Sequence, residues 1–201
     1  MSSLSTADII DWLNSVGVTN YTIRDDGIVD VNGDVNLKLE EAGSIPIQFG
    51  HVSGNFDCLG NDLTSLAGAP QSVGGWFNCA NNKLISLTGA PRRVGGYFNC
   101  GNNNLISLEG APQSVGSYFY CRFNNLTSFA SAPQSVGGGF FCSNNTQLKI
   151  LPIFGIKRIV EIGHEAQDIL NKYYKPDGSG DIITAQDALI DAGFGSIARM
   201  K

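Results

Sequence analysis

The chain has 201 residues, 42% hydrophobic and 15% charged, with a formal net charge of −5. An acidic balance argues against generic nucleic-acid binding, which needs a basic surface. No apolar run reaches the 18 residues that a membrane-crossing helix requires, and the N-terminus lacks the basic residues and apolar core of a signal peptide, so a soluble cytoplasmic protein is expected.

In chain order, the first predicted element is a helix. Ile9, Trp12, Leu13 and Val16 follow the i, i+3, i+4, i+7 spacing, and Ser5 or Thr6 can cap it. Trp12 is read as cap core. Tyr21–Ile23 and Ile28–Val31 then flank Asp25-Asp26-Gly27, a hairpin turn signal. Residues 1–30 are therefore expected to form an N-terminal cap of a helix plus a hairpin. Much of the acidity lies here: residues 1–51 carry 8 acids and 2 bases, whereas residues 52–151 carry 3 acids and 5 bases.

From residue 31 a single period governs the chain. All five cysteines, Cys58, Cys79, Cys100, Cys121 and Cys142, stand 21 residues apart. Phe56, Phe77, Phe98, Phe119 and Phe140 precede them by two positions. Val52, Val73, Val94, Val115 and Val136 precede them by six. Asn61, Asn82, Asn103, Asn124 and Asn145 follow by three, and Leu63, Leu84, Leu105 and Leu126 by five. A period of this length is the signature of a solenoid, in which each turn buries its face only against its neighbours. Val31, Gly33, Val35, Leu37 and Ile45 continue the grid backwards into an incomplete first turn.

Within one turn, Trp76 to Ala80 alternates, with Phe77 and Cys79 facing inward and Trp76, Asn78 and Ala80 outward, which predicts a short strand with one buried face. Asn81-Asn82 turns the chain, Leu84 and Leu87 point back in, and Gly89-Ala90-Pro91 carries it around the back. The cysteines read as free buried thiols, since no C-x-x-C pair suggests zinc. The repeated asparagine reads as a structural ladder, because a core amide is tolerated only when its hydrogen bonds are satisfied by the adjoining turn. The pattern F-x-C-x-x-N-x-L-x-x-L fits the leucine-rich-repeat template with Phe and Cys in its first two slots. The expected fold is thus a leucine-rich-repeat-like β-solenoid over residues 31–162, with a parallel sheet and helical caps at both ends. A parallel β-helix is the competing architecture.

Beyond Asn145 one residue is inserted, and Leu148 and Leu151 take the leucine slots. Ile159 to Ile162 is a candidate final strand. Residues 163–201 are expected to form a C-terminal helical cap, with one helix over 164–174 and a second opening at Thr184. Asp177-Gly178-Ser179-Gly180-Asp181 begins like a calcium loop. It then fails the pattern, with Ile182 where Gly is needed and Ala188 where a bidentate acid is needed.

No catalytic motif appears. His51 and His164 share no motif with a nucleophile, and five equivalent cysteines cannot all be catalytic. No catalytic residue, metal or cofactor is therefore expected. The candidate site is the concave face of a leucine-rich repeat, where outward strand positions vary from turn to turn. The slot before Phe holds Asn55, Trp76, Tyr97, Tyr118 and Gly139. The slot between Phe and Cys holds Asp57, Asn78, Asn99, Tyr120 and Phe141, and the slot after Cys holds Leu59, Ala80, Gly101, Arg122 and Ser143. With neighbouring strands ~4.8 Å apart, Trp76, Tyr97 and Tyr118 are expected to stack as one ladder, extended by Tyr120, Arg122, Phe123 and Phe141. Cross-strand aromatics can simply stabilise a sheet. Trp, Tyr and Arg are also the residues that anchor interfaces.

The tandem S-L-x-G-A-P-x-x-V-G-G-x-F-x-C-x-x-N-x-L units of residues 52–129 resemble a family of repeat proteins encoded by tailed bacteriophages. The lead-in from Asn20-Tyr21-Thr22-Ile23 to Asp34-Val35 and the tail Ala188 to Phe194 share the resemblance. It implies a phage origin and a host-cell cytoplasmic setting, and it implies no reaction. The expected function is a non-catalytic scaffold that recognises a macromolecule. A host protein, bound and inhibited, is the foremost candidate, with neither nucleic acid nor membrane as partner. A carbohydrate-binding module using the aromatic ladder and a phage structural or assembly subunit are the alternatives.

Overall fold

A capped helix opens the chain. Ser5 Oγ accepts from the Asp8 main-chain N–H (3.2 Å), and the Asp8 carboxylate accepts from the Ser5 N–H (3.0 Å), so a capping box starts α1 (Thr6–Ser15). These hydrogen bonds to Ser5 hold the Asp8 carboxyl below its ordinary range. Ile9 and Leu13 are buried, and Trp12 lies over Phe49 with ring centroids 6.2 Å apart. The computed structural model describes residues 4–39, 43–127, 129 and 131–145, together with the backbone of 159–160. Among these residues no helix is long and apolar enough to cross a membrane.

The predicted hairpin forms: β1 (Tyr21–Ile23) pairs antiparallel with β2 (Val29–Val31). Thereafter every turn contributes two short strands. β3 (Val35–Asn36) completes the first turn, and β4 (Phe49–Val52) and β5 (Phe56–Asp57) form the second. The next turns supply β6 (Ser72–Val73) with β7 (Phe77–Asn78), and β8 (Arg93–Val94) with β9 (Phe98–Asn99). They are followed by β10 (Ser114–Val115) with β11 (Phe119–Tyr120), and β12 (Ser135–Val136) with β13 (Phe140–Phe141). The expected final strand is present as β14 (Ile159–Val160), parallel to β13.

The protein is therefore a parallel β-solenoid with 21-residue turns, and it carries two sheets, parallel apart from the β1–β2 hairpin, where the sequence pattern suggested one. The first sheet runs β1-β2-β4-β6-β8-β10-β12 and the second runs β3-β5-β7-β9-β11-β13-β14. The alternation around Phe and Cys identifies the second sheet. The first is not marked by alternation, because from β6 onward each of its strands offers a single inward valine between a polar residue and glycine. The corner between the sheets explains the recurring Gly-Gly. A Cβ at Gly74, Gly95, Gly116 or Gly137 would collide with the carbonyl oxygen of Ser53, Gly74, Gly95 or Gly116, one turn earlier. The turns approach too closely there for any side chain.

The inward slots form continuous columns. Phe56, Phe77, Phe98 and Phe119 stack with centroids 5.3 Å apart, nearly parallel, and Phe140 follows Phe119 at 4.8 Å. Phe49 meets Phe56 edge-on at 5.4 Å and so joins this column to the Trp12 cap. Cys58, Cys79, Cys100, Cys121 and Cys142 are all free and buried. Burial pushes the thiols of the first four well above their ordinary value.

The asparagine ladder forms as expected. The Asn82 side-chain N–H donates to the carbonyls of Cys58 (2.9 Å) and Cys79 (3.0 Å), and its Oδ1 accepts from the N–H groups of Asn61 (3.0 Å) and Leu63 (2.9 Å). Asn103 repeats the pattern against Cys79, Cys100 and Leu84. Each amide thus ties two turns together and closes backbone groups that the short strands leave open. The C-terminal expectations (Leu148 and Leu151, helices from 164 and 184, the Asp177–Asp181 loop) lie outside the described residues.

Candidate functional site

The second sheet presents an aromatic outer face. Its strands turn Phe inward and Asp57, Asn78, Asn99, Tyr120 or Phe141 outward, with the slot before Phe beside them. Trp76 and Tyr97 stack as expected, centroids 5.3 Å apart and planes within 3°. The ladder does not continue to Tyr118, and this corrects the expectation of a single three-ring stack. The Tyr118 ring instead sits beside Tyr120 (6.1 Å, tilted) and Phe141 (5.8 Å, edge-on). The reason lies one turn further on, where Gly139, beside Gly138, stands in the slot that earlier turns fill with Asn55, Trp76, Tyr97 and Tyr118. The Tyr118 ring occupies the space of a Gly138 Cβ, leaning toward the C-terminal end.

Tyr120 fills the gap left in the stack. It meets Tyr97 edge-on (6.0 Å) and stacks on Phe141 (4.7 Å). The Arg122 guanidinium lies over Phe141 (4.8 Å) and more distantly over Tyr120 (5.7 Å), a pair of cation–π contacts. Trp76, Tyr97, Tyr118, Tyr120, Arg122 and Phe141 are thus brought into one continuous surface. Tyr118 is 44% exposed and Phe123 54%.

Asn78 and Asn99 sit within this surface with defined orientations. The Asn78 Oδ1 accepts from the Ala80 N–H (3.2 Å), and the Asn99 Oδ1 accepts from the Gly101 N–H (3.0 Å). A main-chain N–H can only donate, so the oxygen of each amide is turned back to its own strand and the NH2 group faces away. Burial, then the nearby Asp57, raises the Tyr97 phenol above its ordinary value, so it stays a neutral hydroxyl.

An open depression of about 460 Å³ lies beside the Tyr97–Tyr120 contact. It is lined by Leu59, Ala80, Gly101 and Arg122 from the slot after Cys, by Tyr97, Asn99 and Tyr120 from the strands, and by Asn81, Asn102 and Phe123 from the following turn. Leu59, Ala80 and Gly101 belong to the outward slot after Cys but were not expected to be binding residues, and neither were Asn81 and Asn102. The signal was present in the slot after Cys: two small residues between two large ones leave a hollow.

Phe123 is conformationally exceptional. Its slot is otherwise Gly60, Asn81, Asn102 and Asn144, and all five residues adopt positive φ, 53° at Phe123. Gly and Asn tolerate this left-handed conformation, whereas a bulky aromatic there is an outlier. Asn102 also donates to the Asn81 Oδ1 (2.7 Å), a side-chain ladder that Phe123 cannot extend.

The first sheet's outer face contains a serine–histidine contact, His51 Nδ1 to Ser72 Oγ at 2.8 Å. The nearby Asp30 carboxylate accepts from the His51 main-chain N–H (2.6 Å) and pairs with Arg24, so it does not orient the imidazole. This arrangement lacks the base–orienter link of a nucleophilic triad. Among the described residues no group of three His, Cys, Asp or Glu side chains is placed to hold a metal. Compared with protein-family models, curated proteins and solved structures, the chain matches none.

Proposed function

We propose that the protein is a non-catalytic binding scaffold that recognises a protein through the aromatic outer face of its second sheet. One comparison carries the reading. The first sheet is built from the same turns, with two-residue strands from β6 to β12, yet its outward row is His51, Ser72, Arg93, Ser114 and Ser135. A parallel sheet of this solenoid therefore holds together without aromatics outside. The Trp, Tyr, Phe and Arg concentrated on the other sheet are surplus to that need, and they are the side chains that dominate interface energetics. They project from a rigid stack, so little ordering entropy is lost on binding.

The buried, protonated thiols support a non-catalytic role, since the thiolate is the reactive form. Against a sugar-stacking role, Trp76 and Tyr97 cover one another's ring faces, the surfaces a sugar would use. On the resemblance to phage repeat proteins, the partner would be a host protein. The test is affinity capture from host lysate with the intact protein and with Tyr97→Ala/Tyr118→Ala, the variant first shown to be folded by thermal melting. A single partner at stoichiometric yield, lost in the variant, is expected. Glycan-array binding without a protein partner, incorporation into virions, or capture unaffected by the double substitution would each overturn the proposal.

A further inference from the structure

We infer that the depression beside Tyr97 takes an acidic side chain flanked by a large apolar one, from an internal segment of the protein partner. This rests on the binding-face reading above. Three features of the molecule converge on it. The first is donor chemistry. The Asn99 NH2 group faces away from its strand because its oxygen is held by Gly101, the Tyr97 hydroxyl is kept protonated, and the cationic Arg122 lines the same depression. Among the described residues no acid lines the hollow; Asp57 stands two turns before Asn99 in the same row, roughly 10 Å away at the strand spacing of ~4.8 Å. A carboxylate is the complementary group for such a donor set.

The second feature is shape. Ala80 and Gly101 open a space between Leu59 and Arg122, and a Cβ at Gly101 would press on the Asn99 Oδ1 (3.2 Å) and the Arg122 carbonyl oxygen (3.3 Å). The hollow is open, and the aromatic surface continues past it through Trp76 on one side and Tyr118 on the other. A chain can therefore cross it, which favours an internal segment over a chain end.

The third feature is Phe123. It lines the same hollow, is 54% exposed, and holds a backbone conformation that its slot otherwise gives to Gly and Asn. Its ring stacks on no other ring among the described residues. An exposed aromatic that strains the backbone and interrupts the Asn81–Asn102 ladder does nothing for the fold. It is suited to cover the apolar neighbour of the bound carboxylate.

The experiment titrates the full-length protein with three probes and follows the side-chain amide signals of Asn78 and Asn99 by NMR. The probes are N-acetyl-aspartyl-phenylalaninamide, its asparaginyl counterpart, and N-acetyl-phenylalanine with a free terminal carboxylate. The aspartyl probe is expected to shift Asn99 and to bind at least about tenfold more tightly than the other two, a tenfold change being about 1.4 kcal/mol. Gly101→Leu should abolish the shift. The repeat already accommodates Leu59 in that slot, so folding should survive. Phe123→Asn should weaken the probe while raising the melting temperature by about 2–4 °C.

Equal binding of the aspartyl and asparaginyl probes, tighter binding of the terminal carboxylate, or an Asn99 signal that does not move would overturn the inference. So would a Phe123→Asn protein that melts lower than the parent. Partner capture that is lost in Tyr97→Ala/Tyr118→Ala but kept in Gly101→Leu would retain the binding face and remove the carboxylate site.

Discussion

The two sheets are wound from one repeat and differ in what each shows to solvent. Inward, they carry equally regular columns: valine in the first, phenylalanine and cysteine in the second, all buried. Outward, the first carries serine, glutamine and arginine around His51, and the second carries stacked and edge-packed aromatics. The inner columns are uniform because each side chain must match the shape of its copies above and below. The outer rows are released from that constraint, so their composition reports a different demand. Comparing sheet with sheet inside one molecule separates what the stack requires from what the surface adds.

The largest expected effect breaks the inner columns. Cys100→Asp places an ionisable group between buried neighbours with no cation to pair it, and it should abolish folding. Ser114→Asp, on the outer row of the first sheet in the same turn, should leave the far-ultraviolet circular dichroism and cooperative melting intact. A folded Cys100→Asp protein would show that the columns are not what holds the turns together.

Alkaline pH tests the same columns without mutation. Burial raises the thiols of Cys58, Cys79, Cys100 and Cys121 above the ordinary value of 9.0. Their contribution is whole below that value and fades as pH rises, because the unfolded chain then releases protons that the native state must keep. Each thiol adds a slope of up to about 1.4 kcal/mol per pH unit, roughly 5 for the four together. Melting temperature should therefore fall steeply above about pH 9, and less steeply in Cys100→Ala. A flat profile would mean that the thiols ionise in place.

Rewriting the outer row of the second sheet in the style of the first should cost little stability. Trp76→Ser with Tyr97→Ser removes one stacked pair, and cross-strand pairs contribute roughly 0.2–1 kcal/mol. Partner affinity should fall about 30-fold or more, as for a lost 2 kcal/mol anchor. A loss of several kcal/mol in chemical denaturation would instead make the aromatics structural.

The smallest effect lies in the N-terminal cap. Asp30 is held below the ordinary carboxylate range, chiefly by its hydrogen bonds with Arg24 (2.7 Å). Its contribution is present above the ordinary carboxylate value and disappears as pH falls through the lowered one. Arg24→Met should slightly lower the melting temperature near neutral pH and not at acid pH. Both side chains are partly exposed, so solvent screens the pair.

The turn, its length and its buried side chains were determined by the sequence alone. Phe, Cys, Asn and Leu recur at fixed positions, and a recurring residue can satisfy its neighbours only if the turns stack in register. The capped helix, the Asp25–Gly27 hairpin and the strand at Ile159 were legible for similar local reasons. Tertiary structure decided everything that depends on adjacency between unlike residues. The second set of strands is visible only through its pairing across 21 residues. Tyr118 leaves its ladder because of glycines one turn later, and Tyr120 enters it from another row. The hollow at Gly101 and the left-handed backbone of Phe123 arise where small, large and strained residues from successive turns meet. Periodicity describes what is the same in every turn, and a site is made of what differs between them.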